Sequence, residues 1–132
     1  ITKDSWAFGF RNQNKYKREI GDFMQKGKVY RNKIFAGLLI KISNKEYIFQ
    51  YDKDYLEKDN AKAISLNFPL QEKEFKSNYM FAFFFNMLAE GSMKDLQCKQ
   101  LKIDKDDNFS RLLKTTNMNT IGSITLEEII NE

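Results

Sequence analysis

Four aspartates are the first residues whose spacing could do chemistry. Asp52 with Asp54, and Asp104 with Asp106, stand two apart, as at the opening of a calcium loop, where alternate side chains turn oxygens toward one ion. Neither pair continues with glycine at the sixth place or glutamate at the twelfth, so both read as helix caps or solvated charges. The chain has no histidine, which removes the commonest metal ligand and the usual neutral-pH acid or base. Its single cysteine, Cys98, excludes thiolate zinc sites and CxxC redox chemistry, and reads as a small buried apolar residue rather than a nucleophile. The six glycines, at 9, 21, 27, 37, 91 and 122, never stand two apart, so no glycine-rich loop cradles a phosphate. No catalytic set, metal site or cofactor is expected, and the chain reads as a binding module rather than an enzyme.

Charge gives the second lead. Residues 1–33 hold nine Lys/Arg against three Asp/Glu, a surplus of +6, whereas residues 34–132 hold thirteen against fifteen. Arg11, Lys15, Lys17 and Arg18 concentrate that basicity and are the candidate nucleic-acid contacts; the alternative is a solvated charged helix. Trp6, Phe8 and Phe10 in the same stretch are candidate anchors onto the core, or else platforms for base stacking. The longest apolar run, Tyr79 to Ala89, is interrupted by Asn86 and falls short of the roughly 20 residues that span a bilayer. No signal-peptide pattern opens the chain, and a lone cysteine cannot form an internal disulfide, so the expected setting is the cytoplasm with no membrane partner.

The elements that must position these residues follow from the hydrophobic period. Tyr16, Ile20, Phe23 and Met24 predict a short amphipathic helix ended by Gly27, which closes a basic extension over 1–27. KVYRNK, FAGLLIKIS and EYIFQY predict three strands joined by hairpins, with Leu38, Ile40 and Ile42 on one face, Leu39 and Lys41 on the other, and Tyr47, Phe49 and Tyr51 sharing a face of the third. A helical turn is expected at Tyr55 and Leu56, and a strand at AISLNF closed by Pro69. Ser77 or Asn78 then predicts the cap of an almost wholly apolar helix running to Ala89 and ended by Gly91. Ser92 with Asp95 predicts a capping box for a helix holding Leu96, Cys98 and Leu101, and Asp104 to Asp107 opens another with Phe109, Leu112 and Leu113 inward. Thr120 to Leu126 predicts a closing strand. The fold class is α+β: a small antiparallel sheet of about five strands packed with three or four helices, a domain over 28–132 preceded by the helical extension.

This order, and in particular KVYRNKIFAGLL, YIFQYDKDYL, AKAISLNFPL, FFFNMLAEG and NTIGSI, resembles the N-terminal subdomain of the HipA-type Ser/Thr kinase toxins over about residues 28–126. Ala89 stands where that family usually writes proline. In the full-length kinases the ATP site and catalytic carboxylates follow this subdomain, whereas this chain stops at Glu132. Its organisation is similar to the free-standing HipS-type antitoxins of three-part HipBST systems. The resemblance implies a module that docks in trans on a HipT-like Ser/Thr kinase toxin, with a HipB-like DNA-binding protein as third component. It points to Phe75, Lys76, Ser77, Phe81, Glu90 and Gly91 as partner-binding residues. Phe75, on the loop QEKEFKSN, either inserts toward the kinase or folds back as a staple.

Overall fold

The computed structural model describes residues 24–116 and 123–130. Three successive strands are β1 (Gln25–Arg31), β2 (Ile34–Ser43) and β3 (Glu46–Tyr51); Val, Ile, Leu, Phe and Tyr dominate β2 and β3, while β1 has Val29 and Tyr30. Asn32 and Lys33 both take positive φ, 50° and 69°, which gives the first hairpin a two-residue turn whose twist matches the strands. Further elements are α1 (Lys53–Leu56), β4 (Phe75–Ser77), α2 (Ala82–Phe85), α3 (Gly91–Leu101), α4 (Asn108–Thr115) and β5 (Ile124–Ile129). The five strands form one antiparallel sheet in the order β4-β3-β2-β1-β5.

Both faces of this sheet are apolar and buried. On one, Val29, Leu39, Tyr47, Phe49 and Tyr51 pack against Phe109, Leu112 and Leu113 of α4 and against Ile64, Phe68 and Phe84. On the other, Leu38, Ile40, Ile42 and Ile48 join Met24, with Phe35 and Ile129 beside them. The period of two along β2 thus separates Leu38, Ile40 and Ile42 from Leu39 as expected. α4 follows equally simply from sequence: the Asp107 carboxylate accepts the Ser110 N–H at 3.2 Å, and Phe109, Leu112 and Leu113 recur at helical spacing on the buried side.

A bulge adjusts the middle of the sheet. Val29 faces Gly37 but Tyr30 faces Phe35, so Ala36 is the extra residue of β2, and its carbonyl accepts the Asp52 N–H at 2.7 Å. Asp52 is itself buried and caps α1, its carboxylate accepting the Tyr55 N–H at 3.3 Å. Asp104 accepts the Asp106 N–H at 2.9 Å. These carboxylates are therefore used in local caps and turns.

Several expected elements differ. β1 starts at Gln25, Met24 is a core residue and Gly27 lies inside the strand, so the sheet begins within the expected 1–27 extension. The rest of the expected N-terminal helix, with Arg11, Lys15, Lys17, Arg18 and the anchors Trp6, Phe8 and Phe10, lies outside the described residues. The closing strand covers Ile124–Ile129 and so runs past the expected end at Leu126, while 120–122 of the expected strand lie outside the described residues. AISLNF forms no strand: Ile64 and Phe68 are buried but Leu66 is 99% exposed, and turns at Ser65 break the alternation, its carbonyl accepting from Phe68 and its hydroxyl from Asn67. The long apolar helix is reduced to the single turn α2. The backbone is extended at Phe81, and Phe81 joins Phe83 and Phe84 of α2 on the Phe68 ring, at centroid distances of 5.1, 6.2 and 5.8 Å. Gly91, with φ of 63°, opens α3 instead of closing a helix. The capping box is not made: Glu90 occupies the N-cap without a side-chain hydrogen bond, and Asp95 pairs with Lys105 at 2.9 Å.

Candidate docking surface

Residues 57–81 lack regular structure apart from β4, yet they are held closely to β3 and α1. Two tyrosines hold residues 62–68, and β4 pairing and Gln50, which donates to the Glu72 carbonyl at 3.1 Å, hold the rest. The Tyr51 hydroxyl accepts the Ile64 N–H at 3.0 Å and donates to the Phe68 carbonyl. The Tyr55 hydroxyl accepts the Lys62 N–H at 3.3 Å, donates to the Lys62 carbonyl, and receives Arg31 Nε at 2.6 Å. Their rings stack 6.0 Å apart and 5° from parallel. Buried loop backbone is thus satisfied by phenols where a strand would have used a ladder. Burial pushes the Tyr51 phenol above its ordinary range, with the Ile64 N–H pulling the other way and Tyr55 adding to the rise.

Beneath the loop, Phe68 is the hub of an aromatic cluster with Phe49, Phe75, Phe81, Phe83 and Phe84. A cavity of about 240 Å³ opens beside it, lined by Asn67, Phe68, Phe75, Lys76, Phe81 and Phe83. On the outside, the same segment presents Leu66, 99% exposed, Tyr79, 78% exposed, and Leu70. Large apolar side chains held in water beside an aromatic cavity match the composition of an interface core. Among the described residues, no group of three or more His, Cys, Asp or Glu is placed to hold a metal, and Cys98 is buried. No described helix is long and apolar enough to cross a membrane.

The candidate residues fall into two places. Phe75, Lys76 and Phe81 line the cavity, and Ser77 follows Phe75 and Lys76 in β4 without lining it. Phe75 is not a free loop anchor: its ring stacks on Phe49 at 6.1 Å and meets Phe68 edge-on at 5.0 Å. Lys76 is exposed and 3.7 Å from Glu74, and the Ser77 hydroxyl accepts the Tyr79 N–H at 3.1 Å. Glu90 and Gly91 lie elsewhere, exposed at the start of α3. Sequence reasoning missed Leu66 and Tyr79. Leu66 has the period of a strand residue and nothing local marks it as outward, whereas Tyr79 follows the capping signal of Ser77 and Asn78 and was read as helix.

An antiparallel five-stranded sheet with one helix-bearing face and an aromatic loop defines the class of domain. The chain belongs to the HipA N-terminal domain family, whose profile matches residues 27–127. It is 30% identical over 107 residues to an uncharacterised protein of Haemophilus influenzae Rd, covering 81% of this chain and 95% of that protein. Among solved structures it resembles the N-terminal domain of HipA toxin, with a TM-score of 0.60 and 23% identity over 84% of this chain and 98% of that one.

Proposed function

We propose that this protein is a non-catalytic antitoxin of the HipS type, which binds a HipA-like, HipT-type Ser/Thr kinase in trans and neutralises it in the cytoplasm. The observation that carries this reading is the display to water of Leu66, on a turn whose backbone is fixed from inside by Tyr51 and Tyr55, and of Tyr79 just past β4, where its N–H donates to the Ser77 hydroxyl. An isolated module gains nothing from ordering apolar residues in solvent, whereas a partner's surface gains area and shape from them. In this scheme Leu66 and Tyr79 contact the kinase, and the cavity beside Phe75 and Phe81 receives one of its apolar side chains. A HipB-like protein would supply DNA binding to the complex.

The test is co-expression with a HipT-type kinase. Co-purification and relief of kinase toxicity are expected, both reduced by Leu66→Asp; a kinase that neither co-purifies nor loses toxicity rejects the reading. The basic segment favours a second role in transcriptional autoregulation, with Arg11, Lys15, Lys17 and Arg18 touching DNA. Salt-sensitive binding of the isolated chain to duplex DNA, lost on removing residues 1–23, would favour that role.

A further inference from the structure

Away from the aromatic loop, a cavity of about 150 Å³ lies between the α2–α3 connection and the start of α4, with Phe85, Leu88, Glu90, Lys94, Asp106 and Arg111 among its lining. Arg111 is only 4% exposed. Its guanidinium donates from Nη1 to Asn108 Oδ1 at 2.9 Å and from Nη2 to the Ala89 carbonyl at 2.6 Å, and both acceptors are neutral. Among the described residues no carboxylate forms an ion pair with it, nor with Lys94, which is half-buried on the wall. Lys105 is taken by Asp95. A buried guanidinium with only neutral partners is costly, and an entering anion recovers much of that cost.

We propose that this cavity is a socket for a side-chain carboxylate of a protein partner, which pairs with Arg111 and Lys94. The fork of a guanidinium matches a carboxylate in two parallel hydrogen bonds. The first turn of α3 reaches the same wall through Glu90 and Lys94, and its N-cap makes no side-chain hydrogen bond, so uncapped amides add positive potential there. Size agrees: at roughly 30 Å³ per water the space equals about five waters, enough for a carboxylate and its methylene. Two features select a carboxylate on a polypeptide over a phosphate. Glu90 and Asp106 are exposed at the mouth and repel a dianion more than a monoanion. Phe85, 43% exposed, and Leu88 give the same cavity an apolar wall, as suits an acidic residue flanked by apolar ones.

The socket itself is tested on the free protein by titrating acetate, and separately inorganic phosphate, while following the Arg111 Nε–Hε signal and the amides of Gly91 to Lys94 by NMR. Saturable shifts with acetate are expected, weakened at least tenfold in Lys94→Glu and absent in Arg111→Gln. Lys94 is partly solvent-facing, so that variant reports even where Arg111→Gln fails to fold. Linear, unsaturable shifts, shifts unchanged in Lys94→Glu, or tighter binding of phosphate than acetate would overturn the socket. Only the source of the carboxylate rests on the reading under Proposed function. Lys94→Glu should weaken kinase binding about tenfold while leaving Leu66 untouched; wild-type kinase binding that survives Lys94→Glu assigns the carboxylate wrongly. Failure of the wild type to bind any kinase sinks the antitoxin reading instead, and the acetate result still judges the socket.

Discussion

Ile64 is held by Tyr51: its backbone N–H donates to the phenol oxygen at 3.0 Å, and the same hydroxyl donates onward to the Phe68 carbonyl. One side chain of β3 therefore fixes both ends of the turn that lifts Leu66 into water.

Removing that hydroxyl should loosen the loop without disturbing the sheet. Tyr51→Phe leaves a buried N–H and a buried carbonyl without their partner, which costs about 2 kcal/mol. Chemical denaturation should show that loss, and limited proteolysis should show faster cleavage within residues 57–70 under native conditions.

Alkali should act on the same contacts. Burial raises the phenols of Tyr51 and Tyr47 above their ordinary range; Tyr30 is raised by burial and by Glu127, whose carboxylate accepts its hydroxyl. A folded value above the unfolded one, near 10, stabilises the protein in full below about pH 10, and that stability is lost as pH rises through the folded values. Melting temperature should therefore hold steady from neutral pH to about 9 and then fall. Tyr51→Phe should melt lower at neutral pH but lose less on going to about pH 11, with tyrosinate absorbance locating the ionisations.

Gly37 should not tolerate a side chain. A Cβ there would lie 2.3 Å from the Gln50 carbonyl oxygen and 3.0 Å from Tyr51 Cα, both backbone atoms of the neighbouring strand. Gly37→Ala should cost about 3 kcal/mol by denaturant midpoint. At Gly27 the close contact is with the end of the Leu113 side chain, at 2.5 Å, which can shift, while Leu126 Cδ2 at 3.5 Å and the Glu127 carbonyl oxygen at 3.7 Å are ordinary contacts, so Gly27→Ala should lose about 1 kcal/mol.

Phe75 and Leu66 should separate folding from binding. Phe75→Ala empties part of the aromatic cluster and should cost about 3 kcal/mol of stability. Leu66→Asp, at an exposed position, should change stability by less than about 0.5 kcal/mol while weakening kinase binding tenfold or more. Equal binding by the folded Leu66→Asp variant, measured by calorimetry, would remove Leu66 from the interface.

The sheet and α4 were legible because their signals are local: alternation along β2 and β3, and Asp107 followed by Phe109, Leu112 and Leu113 at helical spacing. The segment from Ala61 to Glu90 was not. Ile64, Leu66 and Phe68 alternate as a strand would, but the phenol of Tyr51, thirteen residues from Ile64, supplies the hydrogen bonds a ladder would have made. The phenylalanines at 81, 83 and 84 read as an all-apolar helix, and their convergence on Phe68 depends on a partner thirteen or more residues away. The cavity at Arg111 was equally hidden, since Ala89, Asn108 and Arg111 meet only once α4 has packed beneath the α2–α3 connection.

A loop pinned from within by two phenols has already surrendered its conformational freedom before any encounter. Binding through it forgoes the ordering entropy that a floppy segment would forfeit, so recognition resembles a key meeting a lock rather than folding upon contact. Affinity should then be set by how well the receiving surface matches Leu66 and Tyr79, and association should be fast and show little heat-capacity signature of coupled folding.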